Sequence, residues 1–330
     1  MSRKESKRVV ATARQQREST LKQNPKTSAG GTARRHRNTR RLSPFWFVGG
    51  LIVCVVIVVS VFIYIADHQT AAGVIGPTDP EVLSKVTHVN QSVIAKVNTG
   101  DLQNKNIFYT TGSTEVVTGQ GGKPEIFYYG AEFCPYCAGQ RWSLVVALSR
   151  FGTFSKLPQG LSSAQDVAPS TSTFTFMKSQ YTSAYIDFMP LEAQDRDRKT
   201  LETPTPHQQQ ILTQYNVTGF PFIDIANRYV ASSPAFDPIL LQGLSQKAIA
   251  NKLSDANDNI TRNIVGGANY MTAAICSVTH NQPANVCTQA PIPAIEQSVS
   301  RSPRLVLPQA NVASTPLALA NKRREDDASA

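Results

Sequence analysis

Cys134-Pro135-Tyr136-Cys137 sets two thiols two residues apart, a spacing suited to exchange between a dithiol and a disulfide. That chemistry needs one thiolate to attack and a second thiol close enough to resolve the mixed disulfide. The flanking pattern says where the pair sits. Pro124 to Gly130 (PEIFYYG) is a short apolar and aromatic run of the kind a buried strand requires. A helical pattern then passes through Trp142, Val145, Val146 and Leu148 and stops near Gly152. The two cysteines are therefore expected at a strand-to-helix junction, on the first helical turn. The unpaired N–H groups of that turn favour a negative sulfur, which makes Cys134 the expected nucleophile and Cys137 the more buried resolving thiol.

The other three cysteines do different work. Cys276 and Cys287 bracket a stretch with Asn281, Gln282 and Pro283, which suggests a turn. In an exported domain they are expected to form a structural disulfide, stabilising by about 2–3 kcal/mol. Three arrangements compete with this picture: a second redox pair at Cys276–Cys287, an inert Cys134–Cys137 disulfide, and a zinc site built from all four sulfurs. The ten-residue gap between Cys276 and Cys287 is unlike usual zinc spacing. Cys54 lies in a long apolar run and reads as a small apolar residue. His36, His68, His88, His207 and His280 are scattered without ligand spacing, and no metal or soluble cofactor is expected.

The run Tyr128-Tyr129-Gly130-Ala131-Glu132-Phe133-Cys134-Pro135-Tyr136-Cys137 resembles the active-site strand and helix start of the thioredoxin superfamily. Its Pro-Tyr dipeptide is similar to that of glutaredoxins. Tyr215-x-Val217-x-Gly219-x-Pro221 resembles the superfamily's cis-proline loop. With the apolar run and the C-terminal cysteines, the whole resembles an uncharacterised prokaryotic family of membrane-anchored thioredoxin-like proteins of unknown function. The likeness implies an α/β fold with a central mixed sheet flanked by helices. It also implies a cis Pro221 beside Cys134, with the backbone of Phe220 offered to a substrate strand.

Two departures accompany the likeness. Thioredoxins and the periplasmic disulfide oxidants carry a buried carboxylate six residues before the first cysteine, where this chain has Tyr128, a phenol and a poor base. Glu132 is near but is expected to be exposed. Strong oxidants also carry His between the cysteines, where this chain has Tyr136. A less stabilised thiolate implies a potential of roughly −200 to −230 mV, in the glutaredoxin range, against about −120 mV for the strong oxidant.

The elements that must hold these residues can be read outward from the pair. Thr78-Asp79-Pro80-Glu81 is a strong helix start, and the valine spacing behind it predicts an amphipathic helix over 79–98 within a juxtamembrane linker of 67–115. Residues 107–122 read as a hairpin region and 152–172 as a loop. Strands are expected at 174–177, 184–189, 221–225 (beginning on a proline, whose missing donor is tolerated at the first position) and 228–231, and helices at 206–215, 245–253 and 257–275. The connection 190–206, with its alternating Asp195 to Lys199, is expected to be solvated. The stretch between 152 and 206 is an insertion relative to a minimal thioredoxin. The thioredoxin-like domain is placed at 116–289, and 290–330, with five prolines, is read as a flexible tail.

Length and charge complete the outline. The chain has 330 residues, a hydrophobic fraction of 41% and a net charge of +10, which excludes wholesale disorder and suggests a nucleic-acid binder until the charge is located. Residues 1–44 carry 13 Lys/Arg and two Glu, a net of +11, leaving −1 for the rest. That segment buries too little apolar surface to order itself, and it lacks a folded reader, so it is expected to be a disordered tail and not a nucleic-acid site. Phe45 to Ala66 runs 22 residues without a charge, long enough to cross a bilayer as a helix. Five arginines crowd its N-terminal side between Arg34 and Arg41, which predicts a cytoplasmic N-terminus and an extracytoplasmic C-terminal domain. The expected partners are the lipid bilayer, extracytoplasmic protein thiols or disulfides, and a membrane redox partner.

Overall fold

The computed structural model describes residues 54–55, 57–60, 76–103 and 105–306. The expected basic tail and most of the expected span at 45–66 lie outside the described residues, as does 307–330. The chain divides into two units, Met1–Tyr64 and Ile65–Ala330. In the first, Cys54, Val55 and residues 57–60 are helical and exposed. Among the described residues no helix is long and apolar enough to cross a membrane.

The second unit opens with β1 (Gly76–Pro77), α1 (Pro80–Thr87), α2 (Gln91–Val97) and β2 (Tyr109–Thr110). Next come β3 (Glu125–Gly130), α3 (Pro135–Leu148), β4 (Gly152–Lys156), β5 (Pro158–Leu161), β6 (Ser172–Phe174), β7 (Gln180–Ser183) and β8 (Asp187–Glu192). The chain continues through α4 (Pro206–Gln214), β9 (Phe222–Ile225), β10 (Tyr229–Ala231) and α5 (Gln246–Lys252). It ends with α6 (Asn259–Val278), α7 (Ala284–Cys287) and α8 (Ile292–Ser300).

β3 is an interior strand, between β9 and β8, in a mixed five-stranded sheet of order β2-β10-β9-β3-β8. It pairs with β8 in parallel, from Glu125↔Asp187 to Gly130↔Glu192, and with β9 antiparallel, from Ile126↔Ile225 to Tyr129↔Phe222. Alternate residues of β3 face opposite layers. Ile126 and Tyr128 join the main core with Trp142 and Ile264, while Phe127 joins Ile211, Leu212 and Phe222 beneath α4. Burial on both faces is why this strand reads as an unbroken apolar run. Every residue of α3 except Tyr136 is buried, and α6 packs along it. Gly267 makes that approach possible: a Cβ there would stand 2.8 Å from Ser143 Oγ.

Several expectations are corrected here. The predicted helix 79–98 is two helices, because the side chain of Asn90 accepts the Ser92 N–H and starts a new one. Nor is it part of a linker: Val82, Val86, Val93, Ile94 and Val97 are buried in the main core. The 107–122 region makes no hairpin of its own. β2 pairs with β10, and a Thr118↔Pro124 bridge closes the turn at Gly119–Gly122. Residues 152–172, expected as loop, hold β4 and β5 in two small sheets, where short strands with mixed faces leave little periodic signal. The expected tail from 290 is ordered as far as 306. Ile292, Ile295 and Val299 fall on one buried face of α8, and Leu305 N–H donates to Thr110 O at 2.8 Å. The prolines of this segment do not prevent the helix, since Pro293 lies in its first turn, where the missing N–H costs nothing.

Candidate functional site

The end of β3 delivers the chain to a tight corner, Ala131 to Phe133, and Cys134 is the N-cap of α3 with extended backbone angles. Pro135 takes the first helical position, where its missing donor does no harm. The Cys134 sulfur accepts the Cys137 N–H at 3.3 Å, so it occupies the place a capping oxygen would fill. Both cysteines are free. Cys134 is 5% exposed and Cys137 wholly buried, while Tyr136 between them is 40% exposed.

The two sulfurs are held at opposite ends of the thiol range. A hydrogen bond from the Cys137 thiol is the main influence lowering the Cys134 pKa to about 7; burial opposes it, and the Cys137 N–H, the Arg141 charge and the Tyr136 N–H assist. Burial pushes Cys137 well above the usual thiol value, and the Cys134 sulfur pushes it further. Near neutral pH the first sulfur is therefore poised to ionise while the second keeps its proton.

The Phe220–Pro221 peptide is cis. Sheet register brings it here: Phe222 pairs with Tyr129, so the bend falls opposite the end of β3. Phe220 packs on the cluster of Ala131, Phe133, Cys134 and Cys137, with its ring 6.0 Å from Phe133 and 4.8 Å from Tyr129. Among the described residues, the Phe220 N–H and C=O have no backbone partner. Cys276 and Cys287 lie elsewhere, joined by a disulfide that ties α6 to α7 with a Cα–Cα distance of 5.5 Å. That bond occupies both sulfurs, so neither is a thiolate for a shared metal site.

Several residues around the dithiol were not anticipated. Arg141, one turn beyond Cys137 on α3, makes a two-pronged pair with Glu192 of β8: Nε to Oε1 at 2.9 Å and Nη2 to Oε2 at 2.6 Å. The side chains are 1% and 0% exposed. The i, i+4 spacing from Cys137 puts Arg141 on the same helix face, which is the one sequence signal that pointed to it. Its partner came only with the fold. Glu132, expected to be exposed, is buried; its Oε1 accepts from Thr175 Oγ1 at 2.7 Å, and burial raises its pKa. The insertion beyond β6 covers it, a contact no local pattern announces. The Asp195–Lys199 connection also folds back on the site. Arg196 donates to Ser162 O at 2.9 Å, and the Arg198 guanidinium lies 3.9 Å from the Phe133 ring centroid. Tyr128 is wholly buried, and its hydroxyl has no partner among the described residues.

Fold and site together define a mixed α/β protein with a dithiol at the start of a buried helix and the Phe220 side chain, from the cis-prolyl bend, packed on the cluster that holds it. The chain belongs to the family described as Domain of unknown function (DUF929), whose profile matches residues 109–277, half of its length. The match takes in Cys134, Cys137, Phe220 and Pro221 and stops short of Cys287. No curated protein and no solved structure matches the chain.

Proposed function

We propose that this protein is a membrane-anchored, extracytoplasmic thiol–disulfide oxidoreductase with a thioredoxin-like domain, acting on protein thiols through Cys134 and Cys137. The observation that carries the reading is the unequal pair of sulfurs at one helix start, packed against the cis Phe220–Pro221 bend. The thioredoxin-like reading draws on the β3 ladder as well, parallel to β8 and antiparallel to β9. The membrane anchor rests on the charge-free run Phe45–Ala66 and the arginines before it.

In the reducing direction, the Cys134 thiolate attacks one sulfur of a substrate disulfide. A Cys134–substrate bond forms, the substrate S–S bond breaks, and the departing sulfur leaves as a thiolate that takes a proton. Cys137 then loses its proton and attacks the Cys134 sulfur, releasing the second substrate thiol and closing the Cys134–Cys137 disulfide. Two electrons and two protons pass to the substrate, and a membrane partner returns them; the oxidising direction runs the same steps in reverse. The free backbone groups of Phe220 would pair with the substrate strand while the sulfurs exchange. The chemistry needs no soluble cofactor.

The test is to express Cys137→Ser in the native membrane and look for protein adducts on Cys134. Adducts that dithiothreitol releases, absent from the Cys134→Ser chain, are the expected result. Their absence would overturn the reading and favour a second one, a non-catalytic thioredoxin-fold binding module with structural disulfides, which the 5% exposure of Cys134 supports. Redox titration adds a check, since a potential above about −150 mV would contradict the glutaredoxin-like range.

A further inference from the structure

The sequence puts no cation between the cysteines, yet the fold brings one up from beneath them. Arg141 is fixed at three points: two to the Glu192 carboxylate and one from Nη2 to Ala131 O at 2.9 Å. That same carbonyl accepts the Cys134 N–H at 3.3 Å, and Ala131 belongs to the apolar cluster that holds both sulfurs. One peptide unit thus joins the guanidinium to the corner bearing the nucleophile. Glu192 is fixed in turn by Phe176 N–H at 3.2 Å.

A buried ion pair of this kind is weak evidence for a role in stability. Well-packed apolar residues of similar volume are often as stable or more so, because removing two charges from water costs about as much as their attraction returns. What such a pair does supply, in a medium that screens poorly, is a fixed field. We propose that Arg141 is a positioning residue of the dithiol centre, its buried cation favouring the Cys134 thiolate, and that Glu192 is the counter-ion limiting that effect. This deepens the oxidoreductase reading and rests on it. The other titratable and charged groups facing the pair are Tyr128 on β3, Glu132 in the corner, Cys134 and Cys137 at the start of α3, and Arg196 and Glu202 after β8.

The experiment measures how fast iodoacetamide alkylates Cys134 in the full chain, in detergent, from pH 5 to 9. The thiolate displaces iodide and forms a C–S bond, so the rate reports ionisation without any turnover. Arg141→Met is expected to move the midpoint up by about one pH unit, a tenfold loss of thiolate below the midpoint. Glu192→Gln, which leaves the cation uncompensated, is expected to move it down, and Arg141→Lys to keep it near its starting value. Glu132→Gln is expected to leave these displacements in place, showing that they do not come from that carboxyl. A purely structural pair would shift both single variants the same way or not at all, and either result overturns the proposal. If Arg141→Met does not fold, Glu192→Gln decides alone, since only a downward shift is consistent. Failure here leaves mixed-disulfide trapping untouched, and failure of trapping leaves the alkylation profile readable.

Discussion

Tyr128 holds a buried hydroxyl without a partner among the described residues, beneath the reactive corner and edge-on to Phe176 at 5.1 Å between centroids. An unpaired buried hydroxyl costs about 1–3 kcal/mol. Tyr128→Phe is therefore expected to raise stability by about 1 kcal/mol in urea denaturation; a loss of similar size would mean the hydroxyl is satisfied. The same atom explains Gly130, because a Cβ there would lie 2.1 Å from it. Asp224 gives a second residue-scale test. It is buried on β9, accepts the Asn227 N–H at 2.9 Å, and burial, opposed by that bond and reinforced by Glu125, raises its pKa to about 7. The folded chain therefore holds this proton more tightly than the unfolded one. Its contribution to stability is fully present below the ordinary carboxylate pKa and is lost as pH rises through about 7. Asp224→Asn is expected to flatten the fall in denaturation midpoint between pH 4.5 and 7.5, and an unchanged slope would assign that fall to other groups.

Among the elements, α8 and the disulfide segment close the fold. Ile295 is 2% exposed against α6, so Ile295→Ala is expected to cost about 2–5 kcal/mol, measured by thermal or urea melting. A flexible tail would give no change. Replacing both Cys276 and Cys287 by Ser opens the link between α6 and α7 and is expected to cost about 2–3 kcal/mol. Combined with Cys137→Ser, the same double variant should leave the adducts on Cys134 unaffected, because the two cysteine pairs serve different elements; loss of the adducts in a folded variant would favour a second redox pair.

At the scale of the whole molecule, the reading joins an anchored N-terminus to an exported dithiol. A maleimide that cannot cross membranes is expected to label Cys134 from outside intact cells, with the full chain staying in the membrane after alkaline carbonate washing. Labelling only after the cells are opened would reverse the orientation drawn from the arginines.

How much of this was legible depends on how local each cause is. Strand β3, the start of α3 and the capped entry to α4 at Thr205-Pro206 were readable because burial on both faces and helix capping act within a few residues. The cis form of Pro221 came from the resemblance alone. The boundary near 290 and the linker at 67–115 were misjudged because composition speaks to average burial, while a few apolar side chains at helical spacing decide whether a segment docks. By itself the sequence determined the dithiol, its place at a helix start and the charge-free run ahead of the domain, all properties of contiguous residues. Only the tertiary structure decided that Phe220 packs on the cluster holding the cysteines, that Glu132 is covered and that Arg141 meets Glu192. Those groups are brought together by sheet register and helix packing, which depend on the whole core forming at once.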